Sequence, residues 1–186
     1  MDIQVKSKTS KQMLYIGIVS MIMMFAGLTS AYIISSKRED WVSFNLPSAL
    51  YVSTTLIIIS SIAYLFAKKF LRDGNRQLTT IFLIITLILG IGFIYFQIRG
   101  FHQLREVGLF FTGEGSVVSS SLLVVISFMH ILHVMAGIIV IIVVILKHLA
   151  KKYTVENMLG LELGGIFWHF VDILWIFLFL FFYFIT

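Results

Sequence analysis

The chain has 186 residues, of which 59% are hydrophobic and only 12% are charged, and its formal net charge is +5. This composition excludes an ordinary soluble domain and predicts a membrane protein. Cysteine is absent, which excludes disulfides, thiolate metal sites and iron–sulfur clusters.

Five apolar runs predict five transmembrane helices. Each run can cross a hydrocarbon core of ~30 Å at ~1.5 Å per residue, and none alternates as a barrel strand would. The longest connection, residues 99–116, is too short to hold a soluble catalytic domain. We therefore expect an all-α, polytopic membrane protein in which residues 1–186 form a single transmembrane domain, a bundle of five helices. The predicted spans are residues 12–35, 47–67, 77–98, 117–146 and 161–185.

Basic residues distinguish the two sides of the predicted bundle. The N-terminal segment and the second and fourth connections together hold ten Lys and Arg, whereas the first and third connections hold four. The positive-inside rule therefore predicts a cytoplasmic N-terminus and an external C-terminus. Because topology explains these charges, we expect no nucleic-acid partner, although the cations can attract anionic lipid headgroups.

Small residues recur at four-residue spacing in the first span and at the start of the fifth. Small side chains let two helix backbones approach closely in lipid, so these pairs predict helix-packing faces. The alternative is that Gly and Ala are simply frequent in membrane spans. The first run is also too long for a signal-peptide core, so we expect it to be retained as a helix. The pairs are Ala26 and Ser30, Gly27 and Ala31, and Gly160 and Gly164.

Two histidines, His130 and His133, lie three residues apart in the fourth span. One interpretation is haem ligation, because bis-imidazole ligation takes one histidine from each of two helices, with His169 or His102 as the second ligand. The other is hydrogen bonding inside the bundle, which is the usual role of polar residues in spans. No thiolate and no carboxylate pair at ligand spacing accompanies them, so hydrogen bonding is favoured.

The fifth span carries an acid and an imidazole inside an apolar run. His169 and Asp172 are three residues apart on one helix face, and the indoles of Trp168 and Trp175 border the acid. A charged side chain at bilayer depth costs about 2.5–3.5 kcal/mol on insertion scales, so it needs partners. We expect a structural polar cluster in which these four side chains satisfy one another. The alternative is a proton relay.

Three segments carry a family resemblance. The last span combines an unusual polar run with a second tryptophan, the fourth span has paired histidines, and the first span ends in Ala-Tyr. In this order and spacing, from about residue 12 to the C-terminus, they resemble subunit III of the haem-copper respiratory oxidases, the cytochrome c oxidase subunit 3 family, in its short five-helix bacterial form. The segments are Trp168-His169-Phe170-Val171-Asp172 with Trp175, residues 128–137, and residues 20–33 with Ala31-Tyr32.

The resemblance implies a function. It implies a subunit of a proton-pumping terminal oxidase of aerobic respiration, in which partner subunits hold the haem and copper and this chain has no catalytic, cofactor-binding or metal-ligating residue. The implied partners are the haem-copper catalytic subunit I, other oxidase subunits and membrane phospholipids. The implied work is to stabilise the catalytic subunit and to support proton uptake, in the bacterial cytoplasmic (inner) membrane. The electron donor, cytochrome c or quinol, is left open because its site would lie on other subunits.

Other classes of protein stay open from the residues alone. A small cytochrome b-type electron carrier would use the span histidines, and a transporter subunit would use the bundle itself. The related accessory subunit of a quinol oxidase or nitric oxide reductase would share the same resemblance. The chain also has Met21 and Ile98-Arg99 where many relatives carry acids, so the roles of those acids are not implied here.

Overall fold

The computed structural model describes residues 3–111, 117–154 and 157–185. Within these ranges the chain forms five α-helices, each long and apolar enough to cross a membrane. This confirms the predicted all-α class and the polytopic membrane architecture. The helices are α1 (Ile3–Ser35), α2 (Ser48–Arg72), α3 (Arg76–Glu106), α4 (Val118–Leu149) and α5 (Leu159–Ile185).

The helices run past the ends of the predicted apolar spans. α1 begins at Ile3, before the predicted start at residue 12, and α3 continues to Glu106, beyond residue 98. Hydropathy marks only the part of a helix that crosses the hydrocarbon core, whereas backbone hydrogen bonding from residue i to i−4 continues into the headgroup region. The apolar pattern therefore underestimates helix length where the ends carry Lys, Arg, Gln and Glu.

α2 and α3 form an antiparallel hairpin with a tight turn at residues 73–75. Gly74 adopts a left-handed conformation, with φ 76°, which glycine reaches without the steric cost of a Cβ. Asn75 then caps α3, because its side-chain oxygen accepts a hydrogen bond from the Leu78 amide at 3.1 Å. Pro47 directly precedes α2, a position where its missing N–H costs nothing.

α2, α3, α4 and α5 form a closed ring around a common core. α2 packs against α3 and α5, and α4 likewise packs against α3 and α5. α1 lies outside this ring against α4 and α5, and it buries Phe25, Thr29 and Tyr32 there. Most of the remaining surface of α1 is exposed in this chain.

Cationic side chains fix the connections outside the spans. Arg76 at the start of α3 donates to the carbonyl oxygens of His148 at 2.7 Å and Tyr153 at 3.1 Å, which ties α3 to the end of α4. Burial raises the pKa of the Tyr153 phenol. In the connection between α1 and α2, hydrogen bonds from Arg38 hold the pKa of the Asp40 carboxyl below its usual value.

Candidate functional site

The indole of Trp168 lies where all the ring helices meet, and it is fully buried. Its Nε1 donates to the Ser60 hydroxyl of α2 at 3.2 Å, and Ser60 donates to the Thr86 backbone oxygen of α3 at 3.1 Å. A Cβ added at Gly90 of α3 or at Gly137 of α4 would lie 2.8 Å from an indole carbon. The two glycines therefore provide the space that the tryptophan fills between α3 and α4.

Trp175 lies two turns further along α5 and is buried in the same way. Its Nε1 donates to the Thr54 hydroxyl of α2 at 3.0 Å. Its ring packs against His130 of α4 and Phe93 of α3, with centroid distances of 5.0 and 5.3 Å. Each tryptophan thus hydrogen-bonds to α2 and packs against α3 and α4, so α5 is the helix that organises the core.

The sequence predicts that the four polar side chains of span five hydrogen-bond to one another. The structure instead gives three of them partners on α2. Both indole N–H groups donate to hydroxyls of α2 and not to Asp172. The Nδ1 atom of His169 lies 2.7 Å from the Ser61 hydroxyl, also on α2. Neighbours on one helix project side by side, whereas a facing helix presents its hydroxyls head-on to these donors. The polar cluster is therefore a contact between α2 and α5.

Asp172 remains without a hydrogen-bond partner on either carboxyl oxygen among the described residues. The side chain is only 1% exposed, and the Ser61 hydroxyl that meets His169 is also close to it. A buried carboxylate that lacks a partner is destabilising, most of all at bilayer depth. Asp172 is thus one of the buried polar groups of the bundle that lack a hydrogen-bond partner among the described residues.

The two histidines of span four have different surroundings. His130 is fully buried against the rings of Phe93 and Trp175, and neither of its ring nitrogens has a partner in the described part of the chain. His133 is half-buried, and its Nδ1 lies 2.7 Å from the Met129 carbonyl oxygen one turn earlier. Of the two, only His133 makes the expected hydrogen bond. Residues 3–111, 117–154 and 157–185 contain no group of three or more His, Asp or Glu that could hold a metal ion.

The small residues of α1 are not packed closely against another helix in the described part of the chain. Ala26, Gly27, Ser30 and Ala31 are all exposed, and a Cβ added at Gly27 would meet no described atom within 4 Å. These positions form no close helix contact among the described residues, and their role as a packing face stays a prediction. α1 buries the side that carries Phe25, Thr29 and Tyr32, whereas Ala26 and Ser30 lie beside that side, on the wall of an open groove shared with α5.

The glycine pair at the start of α5 accommodates tyrosine rings. A Cβ at Gly160 would collide with the Tyr153 phenol, and one at Gly164 would lie 2.8 Å from the Tyr64 hydroxyl oxygen. The second position also meets Val144 of α4 at 3.2 Å. The GxxxG pattern thus marks a close approach, as expected, but aromatic side chains fill much of the space.

Sequence reasoning missed the α2 residues that receive the α5 side chains. Thr54, Ser60, Ser61 and Tyr64 recur on one side of α2, and the Tyr64 hydroxyl donates to the Leu161 carbonyl oxygen at 2.9 Å. Hydroxyls that share a face in an apolar run indicate a helix contact, because lipid offers them no partner. The spacing of these hydroxyls along α2 is the sequence signal that could have predicted the contact with α5.

An ion cluster that the sequence did not indicate closes one end of the α2–α5 contact. Glu162 at the start of α5 accepts from Lys11 of α1 at 3.0 Å, with Lys68 and Arg72 of α2 at 4.0 and 3.9 Å. These residues are partly exposed, so each pair contributes only about 0.2–1 kcal/mol. The contacts do bring the start of α1, the end of α2 and the start of α5 to the same side of the bundle.

These features define a polytopic helical membrane protein whose polar side chains join helices to one another. The family model described as cytochrome c oxidase subunit III matches residues 4–186. The chain belongs to this family, which confirms the resemblance found in the three sequence segments.

Individual relatives named cytochrome c oxidase subunit 3 match over different shares of their length. The protein of Corynebacterium diphtheriae is 32% identical over 172 residues, covering 88% of this chain and 82% of the relative. That of Alkalihalophilus pseudofirmus is 28% identical over 155 residues, covering 83% and 73%. That of Hippopotamus amphibius is 32% identical over 128 residues, covering 69% and 47%. The chain thus spans about half the length of the animal relatives it matches.

Proposed function

We propose that this chain is subunit III of a bacterial haem-copper terminal oxidase that reduces dioxygen and pumps protons. The observation that carries the proposal is the family match over residues 4–186, in a chain built as a transmembrane bundle. The match with the Corynebacterium diphtheriae protein, over 82% of that relative's length, supports a short form of the subunit.

In this proposal the chain is a structural subunit, and the haem and copper belong to its partners. The indole and imidazole groups of α5 are engaged with hydroxyls of α2, and this use favours a scaffold. Its expected partners are the catalytic subunit I and other subunits of the oxidase. Electron transfer from cytochrome c or quinol would take place on those subunits.

We also propose phospholipid as a ligand of this chain, and two apolar grooves in the described bundle support this proposal. One groove, of about 550 Å³, lies between α1 and α5 and is lined by residues that include Ile22, Phe25 and Phe170. The other, of about 350 Å³, lies between α1, α4 and α5 and reaches Lys147 and Tyr153. A lysine at the end of an apolar groove suits a lipid whose acyl chain lies in the groove and whose phosphate lies at the membrane boundary.

Support of proton uptake is proposed to be indirect, through stabilisation of the catalytic subunit. A proton path needs several titratable groups in series. In this sequence Asp172 is the one carboxylate far from the ends of any span. The proposed location is the bacterial cytoplasmic membrane, with the N-terminus in the cytoplasm, because ten of the Lys and Arg lie on one side and four on the other.

Purification of the tagged chain in mild detergent tests the proposal. We expect it to co-purify with a larger subunit that carries haem and copper, and an unrelated tagged membrane protein serves as the background control. Separated from its partners, the chain should show no haem absorption. Haem bound to the separated chain in stoichiometric amount would instead identify a cytochrome b-type carrier.

A further inference from the structure

Polar side chains line the outer edge of the contact between α2 and α5 at three depths of the bundle. We call this line the α2–α5 seam. Elsewhere on α2 and α5 the exposed side chains within the spans are mainly Ile, Leu, Val and Phe, as expected for lipid contact. The seam consists of Tyr51, Ser61, Lys68, Glu162 and His169, and the buried Asp172 lies behind it.

At mid-depth the seam presents a half-buried imidazole. The Nδ1 atom of His169 is hydrogen-bonded to Ser61 at 2.7 Å, and Nε2 has no hydrogen bond to the described residues. Asp172 lies behind this pair and also lacks a partner among them. Acyl chains offer no hydrogen-bonding group, so polar atoms that face them are costly. The middle of the seam therefore needs a protein neighbour.

Both ends of the seam also carry hydrogen-bonding groups. At one end, Glu162 and Lys68 are both partly exposed. The Lys68 Nζ atom lies 4.0 Å from a Glu162 carboxylate oxygen. At the other end, Tyr51 is 44% exposed and packs edge-on against Phe179. It lines a hollow of about 270 Å³ together with Tyr183. A neighbour that meets polar groups at all three depths must itself run along the membrane normal.

We propose that the α2–α5 seam is the face on which this chain docks a transmembrane helix of a partner subunit, with His169 as the central hydrogen-bonding contact. The identity of that partner, the haem-bearing subunit, rests on the proposed function. A single lipid fits less well, because its polar groups are confined to the headgroup level.

A second half-buried histidine provides the comparison within the bundle. His133 of α4 has its Nδ1 satisfied by the Met129 carbonyl oxygen of its own helix, and its ring contacts Phe25 of α1 at 5.6 Å. Its partners thus come from its own side of the bundle, α1 and α4, whereas His169 belongs to a line of polar groups between two helices. The surface of α4 beside His133 is therefore the matched control.

Photo-crosslinking in native membranes tests the proposal. A benzophenone amino acid replaces Ile58 or Leu65, which are exposed one turn on either side of Ser61, or replaces Leu132 or Ile139 on the exposed face of α4. After irradiation, the adducts are mapped by peptide mass spectrometry. We expect Ile58 and Leu65 to crosslink to a membrane-spanning segment of a stoichiometric partner subunit, and Leu132 and Ile139 to form lipid adducts.

The possible results separate this inference from the proposed function. A haem-bearing subunit that co-purifies but crosslinks from α4, or does not crosslink from the seam, overturns the docking face and leaves the proposed function standing. If no haem-bearing subunit co-purifies, the proposed function fails. The docking face is then supported if the seam crosslinks to another stoichiometric subunit, and it is overturned if it does not.

Substitution of the histidines supplies an independent measurement. We expect His169→Leu to weaken retention of the partner in detergent about 3- to 30-fold, the range for losing an interhelical hydrogen bond in a membrane. His169→Gln, which keeps a hydrogen-bonding group, should restore most of the retention. His133→Leu is the matched control and should leave retention close to that of the unaltered chain. Equal losses from His169→Leu and His133→Leu would overturn the proposal.

Discussion

Trp168 is the residue on which the packing of the ring depends most. Its indole contacts α3 and α4 through glycines and donates to a hydroxyl on α2. In lipid, burial of apolar surface does not distinguish the inside of a bundle from its outside, so close packing and hydrogen bonds must hold the helices together. A tryptophan between two glycines provides both.

Gly137→Ala should therefore destabilise the bundle. The added Cβ would lie 2.8 Å from the Trp168 ring, and because the indole is enclosed on several sides, α4 or α5 has to shift. We expect a loss of about 1–3 kcal/mol, the usual range for overpacking. It would be measured as a lower midpoint of thermal unfolding in detergent.

Gly27→Ala is the matched control for this substitution. Gly27 also lies inside a helix, but a Cβ there meets no described atom within 4 Å. Its unfolding midpoint should stay the same or rise slightly, because alanine has the higher helix propensity. If the two variants had equal midpoints, the packing role of Trp168 would be refuted.

At the scale of elements, α2 and α5 are joined by a row of side-chain hydrogen bonds. Thr54, Ser60 and Ser61 each meet one polar side chain of α5. These bonds lie at two levels about two turns apart, one at Thr54 and the other at Ser60 and Ser61, so they set the register between the helices as well as their attraction. The contact between α2 and α5 thus closes the ring of helices.

Thr54→Val should weaken this contact, because it leaves the Trp175 N–H buried without its acceptor. We expect a loss of about 0.6–2 kcal/mol in thermal or denaturant unfolding. Thr55→Val is the control, since Thr55 is exposed and, among the described residues, its hydroxyl bonds only to the Tyr51 carbonyl oxygen of its own helix. A larger loss from Thr55→Val than from Thr54→Val would contradict the account.

The existence of the helices could be predicted from sequence, but their pairing could not. Apolar runs of span length have few alternatives in a membrane, so span five was evident from its composition. Which helix meets Trp168 or Trp175 depends on hydroxyls far away in the sequence, such as Ser60. The residues around Asp172 instead predict hydrogen bonds among neighbours on the same helix. The glycines that receive the indole, Gly90 and Gly137, lie on two other helices.

At the scale of the whole molecule, the basic residues predict one orientation in the membrane. The chain contains no cysteine, so single cysteines can be introduced at Ser7, Glu39 and Asn75 and tested with an impermeant thiol reagent. We expect labelling from outside at Glu39 alone, because Ser7 and Asn75 lie on the side with more Lys and Arg. Labelling from outside at Ser7 or Asn75, without Glu39, would reverse the orientation.

In the proposed function, this chain supports a haem-copper oxidase without holding a redox centre. The most direct measurement is the reduced-minus-oxidised absorption spectrum of the purified complex, with the haem and copper content per catalytic subunit, before and after this chain is stripped away. We expect both contents to stay unchanged and the released chain to carry neither haem nor copper. Haem or copper that leaves the complex together with this chain would contradict it.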